Sequence, residues 1–304
     1  MHSKKELWPV MLTPFTSGGD VDYNGVRKLI EWYEQSGADG LFAVCLSGEM
    51  FFLSLEERIK LAAFVKKHAN IPVVASGHIS TNVSDQLNEL RRLSETGIDA
   101  LVLVTNRFAA ENDTAAQWQN NLEQILNGLD DGIPLGLYEC PYPYKHLLTD
   151  DGLAFCNSTG RFLFLKDTCC DIDTLRRRLN ILKYGGIKLY NANTATLLES
   201  YHLGAAGYSG VMANFHPELY VQLSQIWQEK ERAALMQSFL TTCAHIERQL
   251  YPVNAKYHFK KLGLPIDIYT KSKNYKELTE TFKDEVCQMN MLVNWFKRSW
   301  GNID

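Results

Sequence analysis

Lys166 is the residue whose placement asks for chemistry. It follows the apolar run Phe162-Leu163-Phe164-Leu165 and precedes Asp167 and Thr168, a pattern that reads as a strand buried on both faces whose C-terminal end opens into a polar space. An ammonium taken out of water loses solvation and its pKa falls. A lysine that is a neutral amine near neutral pH can attack a carbonyl and form a Schiff base. The alternative is that Lys166 pairs with Asp167 or reaches past the strand end into water, since structural ion pairs also perturb lysines. Tyr138 closes the preceding apolar run, Ile133 to Tyr138, so the two side chains can share one cavity. A phenol beside an amine can shuttle the protons that carbinolamine formation and dehydration require. A core aromatic with a satisfied hydroxyl is the other reading of Tyr138.

Those two residues need a scaffold, and the chain supplies a repeating one. Apolar runs at Trp8 to Leu12, Gly40 to Cys45, Ile71 to Ser76, Asp99 to Thr105, Ile133 to Tyr138, Phe162 to Lys166, Ile187 to Tyr190 and Gly207 to Val211 read as eight strands. Amphipathic segments alternate with them. Val26, Leu29, Ile30 and Tyr33 fall at helical spacing before Gly37, Ser54 and Glu57 form a capping box, and Thr149 caps a later helix. The alternation predicts an α/β fold, a (β/α)8 TIM barrel. A doubly wound open sheet is the runner-up, but no GxGxxG or Walker sequence marks its crevice. After Pro217 the strands stop, and Glu218 to Gln228, Glu231 to Leu250, Ala255 to Leu262 and Lys276 to Trp300 read as helices. The expected division is a barrel over 1–224 and a C-terminal helical appendage over 225–304, with Trp295, Phe296 and Trp300 as packing residues or an oligomer contact.

The chain has 304 residues, 45% of them hydrophobic and 22% charged, so it can bury a large core. A net charge of -4 gives no general attraction to nucleic acid or anionic membrane, which points to a small-molecule partner. The seven cysteines show no CxxC spacing and read as free thiols of a cytoplasmic protein. No signal-peptide core opens the chain, and no apolar run approaches the ~20 residues needed to span a bilayer.

In barrels of this type the reacting groups project from the C-terminal ends of strands. Here those ends carry Ser47, Gly48 and Glu49; His78; Asn106, Arg107 and Phe108; Tyr138 and Glu139; Lys166 to Thr168; Asn191 and Asn193; and Ser209 to Asn214. With these residues in place, the chain resembles the pyruvate-dependent aldolases of the dihydrodipicolinate synthase and N-acetylneuraminate lyase family. The resemblance rests on six segments: Pro9 to Phe15, Ala43 to Glu49, Tyr138-Glu139-Cys140-Pro141, Leu165 to Thr168, Gly207 to Asn214 and Val253 to Gly263. It implies that Lys166 forms an imine with a 2-oxo acid such as pyruvate, that Tyr138 transfers protons, and that Ser47 with nearby backbone N–H groups holds the carboxylate. It implies no metal or organic cofactor, since the imine is made with the substrate itself, and it implies a homo-oligomer, tetramer or dimer.

The departures from the family pattern are specific. Leu46 stands where the strand-two loop carries a hydroxyl, Phe108 where a tyrosine contributes to a proton relay, and Pro143 where an arginine binds the aldehyde's carboxylate. They argue for a different acceptor. Glu139, Asn191, Asn193, His78, Asn106 and Arg107 would suit a hydroxylated substrate such as a 2-keto-3-deoxy sugar acid; Leu46, Phe108, Tyr142 and Met212 would suit an apolar one. Gly48 and Ser209 complete the expected substrate contacts, although polar residues at loop starts also serve as caps. The rival readings are dehydration of a sugar acid through the same imine, a metal-dependent barrel enzyme, for which no HxH pair is present, and a non-catalytic barrel that binds pyruvate.

Overall fold

The computed structural model describes residues 4–300. In chain order the elements are β1 (Glu6–Leu7), α1 (Tyr23–Gln35), β2 (Leu41–Ala43), α2 (Leu55–His68), β3 (Val73–Ala75), α3 (Val83–Ser94), β4 (Ala100–Val104), α4 (Ala115–Gly128), β5 (Leu135–Tyr138), α5 (Asp150–Ser158), β6 (Phe162–Asp167), α6 (Ile172–Leu182), β7 (Lys188–Asn191), α7 (Leu197–Leu203), β8 (Gly207–Tyr208), α8 (Pro217–Ile226), α9 (Lys230–Cys243), α10 (Val253–Lys261) and α11 (Glu280–Trp300). The strands pair in parallel in the order β1-β8-β7-β6-β5-β4-β3-β2. The open edge is bridged where Val10 pairs with Phe42, Phe42 donating its N–H to Pro9 and Met11 donating to Phe42. This is a (β/α)8 TIM-barrel-like fold, not a doubly wound sheet.

Local chemistry sets the helix starts. Asp22, Ser54, Asn82, Thr114, Thr149 and Asp171 each accept an N–H of the first helical turn, and Ser54 and Thr114 complete capping boxes with Glu57 and Gln117. Such caps contribute about 1 kcal/mol each. Inside the ring an aromatic floor fills the barrel: Phe164 lies 4.7 Å from Tyr190, 5.5 Å from Trp8 and 5.9 Å from Phe42, centroid to centroid. Gly40 makes room for that floor, because a Cβ there would meet the Trp8 ring at 2.5 Å.

Several expected elements shift. The first strand does not run from Trp8 to Leu12. Pro9 has no N–H to give a ladder, so pairing divides into Glu6–Leu7 against β8 and a single bridge at Val10. The eighth ends at Tyr208, and Val211–Asn214 turns into a 3-10 helix. β6 is not buried on both faces throughout, since Leu163, on its outward side near the start, is 47% exposed. The long helix expected from Glu231 to Leu250 ends at Cys243 and tightens into a 3-10 turn, Ala244–Arg248. On α11, Phe296 stacks on Phe239 and Trp300 is buried, but Trp295 is 56% exposed and does not pack.

The C-terminal segment is fastened over the barrel mouth by one buried ion pair. Glu49, in left-handed backbone (φ 62°) just past β2, accepts from Lys256 Nζ at 2.9 Å and from the N–H groups of Lys271 and Ser272 at 2.7 Å each. Lys256 also donates to the Tyr269 carbonyl at 2.8 Å and sits 4.4 Å above the Phe15 ring. Burial pushes the Lys256 amine down to about 8 against the pull of Glu49. Removing one partner of a buried pair leaves the other charge uncompensated. Lys256→Ala is therefore expected to lose about 3–5 kcal/mol in urea unfolding; a loss under about 1 kcal/mol would show that Glu49 does not depend on it.

Candidate active site

The site is assembled at the C-terminal ends of β5 and β6, whose register puts Tyr138 opposite Lys166. Phe164 faces inward onto the aromatic floor, so two residues on Lys166 also faces inward. Its Nζ lies 4.4 Å from the centroid of the Tyr138 ring, and the residue is 5% exposed. Burial lowers the Lys166 pKa, opposed in part by Cys45, Cys140, Glu247 and Cys170. Burial likewise holds the Tyr138 hydroxyl protonated well above the ordinary tyrosine range, and that hydroxyl contacts the Cys140 thiol.

Asp167 does not pair with Lys166. It points to the opposite side of β6, where Arg178 of α6 donates to it and to both oxygens of Glu139, at 2.6 Å and 3.0 Å for the latter. Arg178 also donates to the Leu148 carbonyl at 2.9 Å, while Glu139 accepts from the N–H groups of Leu148 (2.8 Å) and Thr168 (3.0 Å). Burial and the neighbouring Asp167 push the Glu139 carboxyl up, with Arg178 pulling it back, and the two carboxylates hold the guanidinium charged. The cluster ties the ends of β5 and β6 together just behind the pair that faces inward.

In front of that pair lies a cavity of about 560 Å³. Lys166, Tyr138, Ser47 and Leu46 line it from the barrel, Tyr142 and Asn193 from the loops after β5 and β7. Its far wall comes from the C-terminal segment through Glu247, Arg248 and Tyr251. The Tyr251 hydroxyl contacts the Ser47 side chain and accepts from Asn214 Nδ2 at 3.1 Å. Asn214 is itself held by the Val10 carbonyl and the Tyr33 hydroxyl. Two hydroxyls therefore stand together a short way from the amine, an arrangement suited to a carboxylate.

Other expected contacts lie elsewhere. Glu139 is fully buried against Arg178 and does not reach the cavity. Asn191 donates to Thr196 Oγ1 and accepts from the Asn193 N–H, closing its own loop. Phe108 turns into its own subunit, stacked at 5.6 Å on His78 and edge-on to Trp118. His78 accepts from the Val104 N–H at 2.6 Å, and burial pushes it down to about 3, so it is a neutral core residue. Asn106 donates to the carbonyls of Cys140, Tyr142 and Tyr144, and Arg107 donates to Asn106 and Ile79. Gly48 sits behind Ser47 with its carbonyl taken by Thr13 Oγ1 at 2.7 Å. Ser209 and Met212 are buried outside the cavity lining. Among the described residues no three His, Cys, Asp or Glu side chains converge as a metal site.

Sequence reasoning missed Tyr251, Glu247 and Arg248: the last two sit in a stretch that reads as helix to Leu250, and Tyr251 in the short connection after it. The one local signal is Pro252, which cannot sit inside a helix and stands as the N-cap of α10.

The depressed amine carries a sign for stability. The unfolded chain holds a proton on Lys166 up to about 10.5, the folded chain only to a lower value, so between the two the unfolded state binds more protons and stability rises with pH. Below the folded value the full cost is present. Lys166→Met is therefore expected to unfold at higher denaturant than the unsubstituted protein at pH 7, with the difference narrowing toward pH 10. Equal midpoints at pH 7 would mean that the amine is solvated in the fold.

The Dihydrodipicolinate synthetase family profile matches residues 3–289. The 4-hydroxy-tetrahydrodipicolinate synthase of Methanothrix thermoacetophila is 25% identical over 217 residues, 71% of this chain and 72% of that protein. The enzyme of the same name from Clostridium perfringens (strain ATCC 13124) is 28% identical over 213 residues, 68% and 70% of the two chains. Among solved structures, dihydrodipicolinate synthase DapA-2 from Bacillus anthracis aligns with a TM-score of 0.85 at 19% identity, over 95% and 98% of the chains. YagE from E. coli K12, a prophage protein solved in complex with pyruvate, aligns at 0.84 and 22% identity, over 96% and 98%. The structural likenesses speak for the fold, and the profile, spanning nearly the whole chain, places this protein in the dihydrodipicolinate synthetase family, a family of lyases of the class I aldolase type.

Proposed function

We propose that the protein is a Schiff-base-forming lyase that condenses pyruvate, or a close 2-oxo acid, with an aldehyde acceptor, or cleaves the corresponding adduct. The observation that carries this reading is a buried amine, without a hydrogen bond or ion pair among the described residues, 4.4 Å from a phenol ring in an open cavity. The neutral amine of Lys166 adds to C2 of the 2-oxo acid. Tyr138 passes a proton to the carbinolamine hydroxyl, water leaves, and the imine forms. Ser47 and Tyr251 are positioned to donate to the carboxylate. The iminium then withdraws electrons from C3, the enamine attacks the acceptor carbonyl, and hydrolysis returns the free lysine.

The acceptor differs from that of a dihydrodipicolinate synthase. Leu46 presents a methyl-bearing wall where the family has a hydroxyl, and Pro143 is exposed where it has an arginine. The walls also bear on which of the two substrate types is favoured. Of the residues that would have hydrogen-bonded a sugar chain, Asn193 lines the cavity, while Glu139, Asn191, His78, Asn106 and Arg107 have internal partners. Leu46, Phe52, Pro141, Tyr142 and Val211 face the cavity. This supports an aldehyde with an apolar body over a polyhydroxylated acid, and aldol chemistry over sugar-acid dehydration.

Incubation with pyruvate and borohydride is expected to place a reduced pyruvyl adduct on Lys166, identified by peptide mass spectrometry, and none on Lys166→Ala. Tyr138→Phe should retain the site but form the adduct about 10²–10⁴-fold more slowly. Absence of an adduct with pyruvate and with a panel of longer 2-oxo acids would remove this function.

A further inference from the structure

The C3–H bond of the bound 2-oxo acid must lose a proton, and the acceptor oxygen must gain one, yet the relay hydroxyls are missing at Leu46 and Phe108. The cavity offers few replacements. Tyr138 and Tyr251 are held as neutral phenols by burial, and the Cys170 thiol is pushed up by burial as well. Glu247 remains. It projects from the 3-10 turn Ala244–Arg248, lines the same cavity as Lys166, and among carboxylates exerts the largest charge effect on that amine. Among the described residues its carboxyl has no hydrogen bond or ion pair, so its oxygens are available to a ligand.

We propose that Glu247 is the catalytic acid–base of the carbon–carbon step, its carboxylate taking a proton from C3 of the Lys166-bound imine and its carboxylic acid returning that proton to the acceptor oxygen as the new bond forms. The proposal rests on the imine chemistry proposed above. In the forward direction the C3–H electron pair becomes the enamine double bond and the iminium is neutralised. The enamine then attacks the acceptor carbon, the iminium re-forms, and the proton on Glu247 moves to the new alkoxide. Cleavage runs the same transfers backwards. Burial raises the Glu247 carboxyl above its usual range, opposed by Arg248 and Lys166, which suits a group that alternates between base and acid. The groups facing it are Lys166 from β6, Tyr208 from β8, Tyr220 from α8 and Tyr251 beyond its own turn, with Cys170 in the loop after β6. Of these the phenols and the thiol stay neutral as the carboxyl titrates.

The test needs no knowledge of the acceptor. Pyruvate methyl protons exchange with D2O through the imine and enamine, and proton NMR follows the loss of the methyl signal. Glu247→Gln is expected to slow exchange about 10²–10⁴-fold while borohydride still traps pyruvate on Lys166 at the unsubstituted yield. The unsubstituted protein should lose exchange on the acid side as Glu247 protonates, and Glu247→Asp should keep that acid limb at a reduced rate. Exchange in Glu247→Gln within about threefold of the unsubstituted rate overturns the proposal, as does equal loss of trapping and exchange in both variants, which would make Glu247 a structural residue. Absence of trapping in the unsubstituted protein removes the imine reading, and this proposal with it.

Discussion

One guanidinium organises the site. Arg178 holds Glu139 at the end of β5 and Asp167 at the end of β6, so it fixes the register in which Tyr138 and Lys166 face each other. The alternation of a strand does the rest, because Asp167 must point away from the mouth if Lys166 points into it. A lysine followed by an aspartate in an exposed strand would form a weak surface pair. Here the aspartate is held behind the strand by a better partner, a guanidinium that is always charged and also grips both oxygens of Glu139. The ammonium is thereby left without its sequence neighbour as a counter-ion, and its desolvation is only partly compensated by Cys45, Cys140, Glu247 and Cys170. The lowered pKa of the amine follows from burial and from where the neighbouring carboxylate goes.

The C-terminal segment applies the same logic at larger scale. Glu49 follows β2, and its two oxygens bind Lys256 and the backbone of Lys271 and Ser272, groups more than 200 positions away in the chain. Neither charge would persist in the interior alone. Paired, they fasten the helical segment across the barrel mouth, and the far wall of the cavity follows from that placement. Tyr251 meets Ser47 where α10 is anchored by Lys256 and α9 has already ended at Cys243, leaving a 3-10 turn to cross the mouth. Barrel and appendage together make one cavity.

Lys166 and Tyr138 were legible from sequence because each ends an apolar run with a residue whose burial is costly, a signal that is local. The strands and caps were legible for the same reason: Ser54 with Glu57, Thr149, and the runs at Ala100–Val104 and Leu135–Tyr138 carry their own instructions. Polar residues one or two positions past a strand end carry no such instruction. Glu139, Asn191, Asn106 and Arg107 have the types that bind hydroxylated ligands, and the same types satisfy backbone groups in tight loops. Which role they take depends on whether a long-range partner such as Arg178 arrives, or whether the loop curls so that Asn106 reaches three carbonyls at once. Phe108 followed the same rule, with His78 and Trp118 offering an aromatic slot inside the subunit. Tyr251 and Glu247 were invisible because their place in the cavity wall comes from a helix that stops early.

The departures from the family pattern form one coherent change. A relay of hydroxyls across the mouth requires polar groups at the strand-two and strand-four loops, and here the first is Leu46 and the second, Phe108, has withdrawn into the core. Removing both makes that side of the cavity apolar, so a polar acceptor would lose hydrogen bonds to water there without recovering them. The proton-transfer demand does not vanish with the relay, because making or breaking a carbon–carbon bond beside an imine still moves a proton at each end. Under the proposal above it passes to a group that already lines the cavity with the amine, the Glu247 carboxyl brought over by the C-terminal segment. Retention of the Lys166–Tyr138 pair together with loss of the relay is therefore consistent with an unchanged first half-reaction and a new second one, since the two halves draw on opposite walls of the same cavity.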